Sequence, residues 1–192
     1  MFARGDGLVM TRPASFAAAL VFCLAAFEGW AQGEPPAPAE WQVVAAEDGQ
    51  FEAMFPQMPR SYTDQWVRRG ITATSHVLAA GTPPFYCIAG YTDYSGDIER
   101  PNRSALEVAR DDYINSTFAT LLESQSVTLF RPPSTTLQAV RYIAIADTRR
   151  YTSILAVEGR RFYHVVASSQ RFGFSEGDVA RCLSGFKLTP PS

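Results

Sequence analysis

The sequence predicts an α+β domain built on a largely antiparallel β-sheet. Strand-like segments fill the chain on either side of a central helical segment, and they are separated by turn signals such as Asp48-Gly49, Arg69-Gly70 and Glu158-Gly159-Arg160. Only two segments carry helix-start signals, one in the middle and one near the end. Strands, a helix, more strands and a second helix suit an antiparallel sheet, whose strands need only short connections.

The chain has 192 residues, 46% of them hydrophobic and 19% charged, with a formal net charge of −2. That length favours one domain, and that balance suits a packed core. Lys187 is the only lysine and no basic block occurs, so nucleic acid is not an expected partner.

The first segment reads as an export signal. Arg12 supplies positive charge, residues 16–27 form an uncharged run, and Gly29-Trp30-Ala31 places small residues at a cleavage site. Cleavage is expected after Ala31, with Gly33 as the alternative. Met10 is a possible start, because Asp6 suits a signal poorly. Cys23 follows a bulky Phe22 inside the hydrophobic run, which disfavours a lipid anchor at that cysteine. Residues 32–40 form a Pro-rich linker, and residues 41–192 form the single domain. No other apolar stretch approaches the ~20 residues of a transmembrane helix.

The elements follow in order. Strands are expected over residues 41–45, 51–55, 61–68, 71–79 and 85–94. Ser104-Ala105-Leu106-Glu107 is a capping-box sequence that opens a helix. Ile114, Phe118, Leu121 and Leu122 then stand at i, i+4, i+7 and i+8, which predicts one apolar stripe packed on the sheet. Strands return over residues 126–131, 137–146, 151–157 and 161–168. Ser175-Glu176-Gly177-Asp178 opens a short helix to about Leu183, and Phe186-Lys187-Leu188 closes the domain.

Several of these residues together resemble the PsbP-like superfamily. They are Trp41, Asp48-Gly49, Phe51 and Phe55-Pro56-Gln57-Met58-Pro59, then Gly159-Arg160-Arg161-Phe162-Tyr163, and a closing helix that runs from Val179 through Cys182 into Ser184, Phe186 and Leu188. Gly185, inserted between Ser184 and Phe186, and Cys182, at a usually apolar position, depart from the pattern. The resemblance implies an antiparallel sheet flanked by helices on both faces, an α/β/α sandwich. It also implies a protein that binds other proteins without catalysis. It carries over no functional residue.

Candidate chemistry is sparse. His76 and His164 lie far apart in predicted strands and lack the spacing of a metal site, so neither metal nor cofactor is expected. Asp93-Tyr94-Ser95-Gly96-Asp97-Ile98-Glu99 alternates oxygen ligands as calcium loops do. Its glycine is misplaced, though, and Ser104 stands where the twelfth-position acid belongs. Ser184-Gly185-Phe186-Lys187 matches S-x-x-K without the companion motifs of penicillin-recognising enzymes. No catalytic residue is assigned.

Removal of Cys23 with the signal leaves Cys87 and Cys182, an even count in an oxidising compartment. A disulfide between them is expected, with two separate buried thiols as the alternative. The expected function is an exported, soluble, non-catalytic binding module, periplasmic or secreted, that recognises another envelope or secreted protein. The alternative is a small hydrolase or ligand carrier whose site is assembled from distant residues. Intact-mass analysis of the exported protein should find a chain that begins at Gln32. An uncleaved chain, or one acylated at Cys23, would count against the export reading.

Overall fold

The computed structural model describes residues 40–46, 48, 50–68, 70–98, 104–172 and 175–191. The expected signal peptide, and the linker up to Glu40, lie outside the described residues. Ten strands and two helices follow in order: β1 (Gln42–Ala45), β2 (Phe51–Phe55), β3 (Arg60–Arg68), β4 (Ile71–Thr82), β5 (Phe85–Tyr94), α1 (Ala105–Ser116), β6 (Thr120–Arg131), β7 (Thr135–Ile145), β8 (Arg149–Glu158), β9 (Arg161–Gln170), α2 (Glu176–Ser184) and β10 (Lys187–Leu188).

The strands make two sheets. The larger has seven strands in the order β3-β4-β5-β9-β8-β7-β6, and the smaller has three in the order β1-β2-β10. Every neighbouring pair is antiparallel. Side chains alternate between the faces of the large sheet, as a period of two requires. On β9, Tyr163, Val165 and Ala167 face the small sheet and α2, where they meet Phe51, Phe55, Cys182 and Phe186. Phe162 faces the other way and packs with Ala109 and Ile114 of α1, Tyr142 and Leu155.

The expectation of a sheet sandwiched between helical layers is overturned. Among the described residues the protein is mostly antiparallel β-structure in two sheets, with two short helices. One face of the large sheet is covered by the second sheet together with α2, and the other carries α1 alone. Size explains why neither helix forms a layer. Twelve helical residues rise roughly 18 Å, whereas seven strands span about 29 Å across the sheet. Segments 41–45 and 51–55, anticipated as strands, build the second sheet with Lys187–Leu188, which the sequence marks only as the close of the domain, and their long-range pairing left no local signal.

The central helix is also shorter than its apolar spacing implied. Its start matches expectation: the Ser104 side chain accepts from the Glu107 backbone, and Glu107 reaches back to the Ser104 N–H, closing the capping box. Its end comes early. The Ser116 hydroxyl donates to the Tyr113 carbonyl at 2.7 Å and the Thr117 hydroxyl to the Ile114 carbonyl at 3.0 Å, which draws the chain out of helical pairing. The Phe118 N–H then bonds the Asn115 carbonyl and the Ala119 N–H bonds the Ile114 carbonyl, with Phe118 at a φ of 52° between them. This is a Schellman stop with phenylalanine in the position that glycine usually holds. Phe118, Leu121 and Leu122 therefore leave the helix, and the latter two enter β6.

The disulfide forms as expected. Cys87 of β5 is bonded to Cys182 of α2 with the Cα atoms 5.8 Å apart, and both residues are fully buried. The two departures from the PsbP-like pattern have structural reasons. Cys182 is the half-cystine that holds α2 to the sheet. Gly185 lies so close to β2 that an added Cβ would stand 2.3 Å from the Met54 Cβ. Replacing Cys87 and Cys182 together by alanine should lower unfolding stability by roughly 2–4 kcal/mol, as removal of a long-loop crosslink does. Denaturant titration of both forms without reductant measures this, and an unchanged midpoint would mean that the bond does not form in solution.

Candidate functional site

The densest gathering of charged and aromatic side chains lies at one end of the large sheet, on the face toward β2. It is built across five strands and one turn. Arg161 at the start of β9 lies opposite Asp93 at the end of β5. Its Nε and Nη2 donate to the two Asp93 carboxylate oxygens, both at 2.6 Å, in a bidentate fork. Its Nη1 reaches Asp48 at 3.4 Å, and its guanidinium lies 4.2 Å from the Tyr91 ring centre. The His76 ring stacks on Tyr91 at 4.7 Å, so histidine, tyrosine and arginine form a column.

A second branch runs beside the first. Arg131, buried at the end of β6, donates to Glu158 and to the Tyr163 hydroxyl, both at 2.6 Å. The Tyr163 hydroxyl donates in turn to Gln50 at 2.7 Å. Asp48 accepts from the Gln50 backbone N–H at 3.2 Å, which shapes the turn into β2. The two branches thus meet at the Asp48–Gln50 turn and fasten the small sheet to the large one.

The electrostatics of this gathering suit binding and rigidity. The hydrogen bonds to Asp93 raise the Arg161 pKa, so its charge is permanent. Burial, then the hydrogen bond to Asp48, pushes the Tyr91 phenol well up and keeps it protonated. On the other face, burial raises Tyr113 of α1 and, beneath it, Tyr142 and Tyr151. These shifts move each phenol away from the anion that a general base or nucleophile would need.

A shallow cleft of about 260 Å³ opens between α1 and the β6–β7 ribbon, lined by Ser104, Glu107, Arg110, Ser124, Ser126 and Gln138. Its charged groups are engaged: Glu107 in the capping box, and Arg110 with Asp111 at 2.8 Å and Ser124 at 3.0 Å.

The third feature is the corner where α1 turns into β6. Phe118 is 73% exposed, Leu121 36% and Leu122 59%, the largest exposed apolar grouping along any short stretch of the described residues. A register shift between Leu121 and Glu123 bulges the strand beside it.

The residues singled out from sequence fall as follows. His76 and His164 face opposite sides of the large sheet, since His76 pairs with Tyr91, Tyr91 with Tyr163, and His164 is next along β9. Asp93 and Asp97 turn to Arg161 and Arg160, and Glu99 lies outside the described residues. Ser184 and Lys187 are both exposed, at the end of α2 and in β10. Cys87 and Cys182 are brought together. Sequence reasoning missed the roles of Asp48, Gln50, Tyr91, Arg131 and Arg161. The only pointer was that Asp48, Arg161 and Tyr163 lie within the segments that carry the PsbP-like resemblance. Comparison with family models, curated proteins and solved structures finds no match to this chain.

His164 gives the fold a pH signature. Burial lowers its pKa to about 4, from 6.5. Above pH 6.5 the ring is neutral whether the chain is folded or unfolded. Between 6.5 and 4 the unfolded chain takes up a proton that the folded chain refuses, so stability falls as pH falls. The loss from pH 6.5 to 5 should reach about 2 kcal/mol at most, since the ring keeps some solvent contact. Urea titrations at the two pH values should show this slope, and His164→Gln should flatten it. An equal slope in the variant would mean that the ring titrates normally in the fold.

Proposed function

We propose that this protein is an exported, non-catalytic binding module, periplasmic or secreted, that recognises another protein through the corner formed by Phe118 and Leu121. One observation carries the reading: Phe118 holds a left-handed backbone, φ 52°, while its ring stands 73% exposed. A bulky residue costs roughly 1–2 kcal/mol in that conformation, and an exposed ring returns little burial energy. Glycine would end the helix better. A strained residue that presents an apolar side chain to solvent suits a contact made with a partner.

Other features support the same reading. The buried Cys87–Cys182 bond suits an oxidising compartment. Among the described residues no helix is long and apolar enough to cross a membrane. The charged network at the far end of the sheet is occupied in joining the two sheets. The resemblance to the PsbP-like superfamily also points to protein binding.

Phe118→Gly separates function from folding. The variant should be about 1 kcal/mol more stable, because glycine removes the backbone strain. It should also lose the crosslinked partner that the unaltered protein captures in an envelope fraction. Capture at the original level by a more stable variant would remove Phe118 from recognition and overturn this reading.

A further inference from the structure

We propose that two copies of this chain associate by pairing their β6 strands antiparallel about a two-fold axis at Ser126, which joins two large sheets into one. β6 is the last strand in the order of the large sheet and, among the described residues, pairs only with β7. The adjacent hairpin shows which of its backbone groups face the open side. Ala146 and Arg149 exchange both of their backbone hydrogen bonds. Alternation from that pair turns the N–H and C=O of Ala144, Tyr142 and Val140 toward β8. Those of Ile143, Arg141, Ala139 and Leu137 then turn toward β6, where they meet Glu123, Gln125, Val127 and Leu129. The N–H and C=O of Ser124, Ser126, Thr128 and Phe130 are left pointing outward.

Two such edges pair antiparallel only with outward-facing residues opposite outward-facing residues, so the axis must pass level with a residue and not between two. At Ser126 it sets Ser124 opposite Thr128 and Leu122 opposite Phe130. Leu122 is 59% exposed and Phe130 60% exposed; Phe130 shares a face with Ser126 by the period of two, and Leu122 stands at the bulge that ends the regular stretch. The symmetric pairing therefore covers both large apolar side chains of each edge, twice over. At Ser124 the axis would set Leu122 opposite Ser126 and waste that match.

Charge agrees with the choice. Glu123 is the one charged residue from Thr120 to Phe130, and it falls opposite Leu129 of the second copy, so like charges do not meet. That stretch has no Lys, Arg or Pro, the residues that guard an edge against pairing. β3, the opposite edge of the sheet, carries Arg60 and Asp64. The occupant is thus a second copy of the same strand, joined by strand addition. This association does not depend on the role proposed for Phe118.

Sedimentation velocity of the purified protein should show a dimer that dissociates on dilution. Ser126→Pro removes the central outward N–H, and Leu122→Lys keeps every backbone donor but places a charge in the apolar match. Both should sediment as monomers with an unchanged far-ultraviolet circular dichroism spectrum. The register is read by single cysteines under mild oxidation. Ser126→Cys should crosslink to a covalent dimer several-fold faster than Ser124→Cys, because only position 126 faces itself across the axis. A monomer at every soluble concentration, a dimer indifferent to Leu122→Lys, or equal crosslinking at the two positions would overturn the proposal. A monomer that still captures a partner through Phe118 would sink the dimer alone, and a dimer that captures nothing would sink only the recognition reading.

Discussion

The pairing of β5 with β9 holds the large sheet together. On one side of that seam β3, β4 and β5 follow one another as hairpins, and on the other β6, β7, β8 and β9 do the same. Each of those pairings joins neighbours in sequence, so its loop-closure cost is small. Only the β5–β9 register, from Phe85 opposite Ser169 to Asp93 opposite Arg161, joins strands separated by some seventy residues of chain. Its cost in chain entropy is met along its whole length. Buried Cys87, Ala89 and Tyr91 pack beside Tyr163, Val165 and Ala167. The Asp93–Arg161 fork closes one end. The disulfide ties β5 to the helix that follows β9.

The second sheet depends on the same seam. Tyr163 on β9 and Tyr91 on β5 lie opposite each other, and each leads by hydrogen bonds or charge to the Asp48–Gln50 turn. Phe51 and Phe55 of β2 are buried against that surface, and β10 returns to β2 only because α2 is already anchored through Cys182. The charged network, which has the look of an active site, therefore has a mechanical task. Its arginines pair with its carboxylates, and burial keeps the Tyr91 phenol protonated. Burying paired charges adds little net stability, so the network serves to specify where the turn before β2 lands on the sheet.

What the molecule offers to the outside is concentrated at β6. The strand is long, stands at the edge, and is exposed over its first half, while its second half tucks Val127 and Leu129 into the main core. The helix stop at Phe118 delivers the chain to that edge with three apolar side chains facing solvent. A buried disulfide and a jointed pair of sheets behind it make a rigid frame. A strand edge and an apolar corner on such a frame are preorganised, so a partner loses less conformational freedom in binding them.

The sequence by itself determined the local features. The capping box at Ser104 and Glu107, most of the segments that became strands, and the cysteine pair were legible, because each rests on neighbours in the chain or on a simple count. It also determined that strands would pair antiparallel, since their connections are mostly short. It misjudged residues 114–122, where spacings of three and four fit a helix face as well as a strand beyond a helix stop. The tertiary structure alone decided that β2 leaves the large sheet for a second one. It alone decided that Arg131, Arg161, Asp48 and Tyr91 converge, and that Leu121 and Leu122 stay outside the core. These outcomes depend on which strand lies beside which, and the β5–β9 seam that sets this order joins residues too far apart in the chain for periodicity to register.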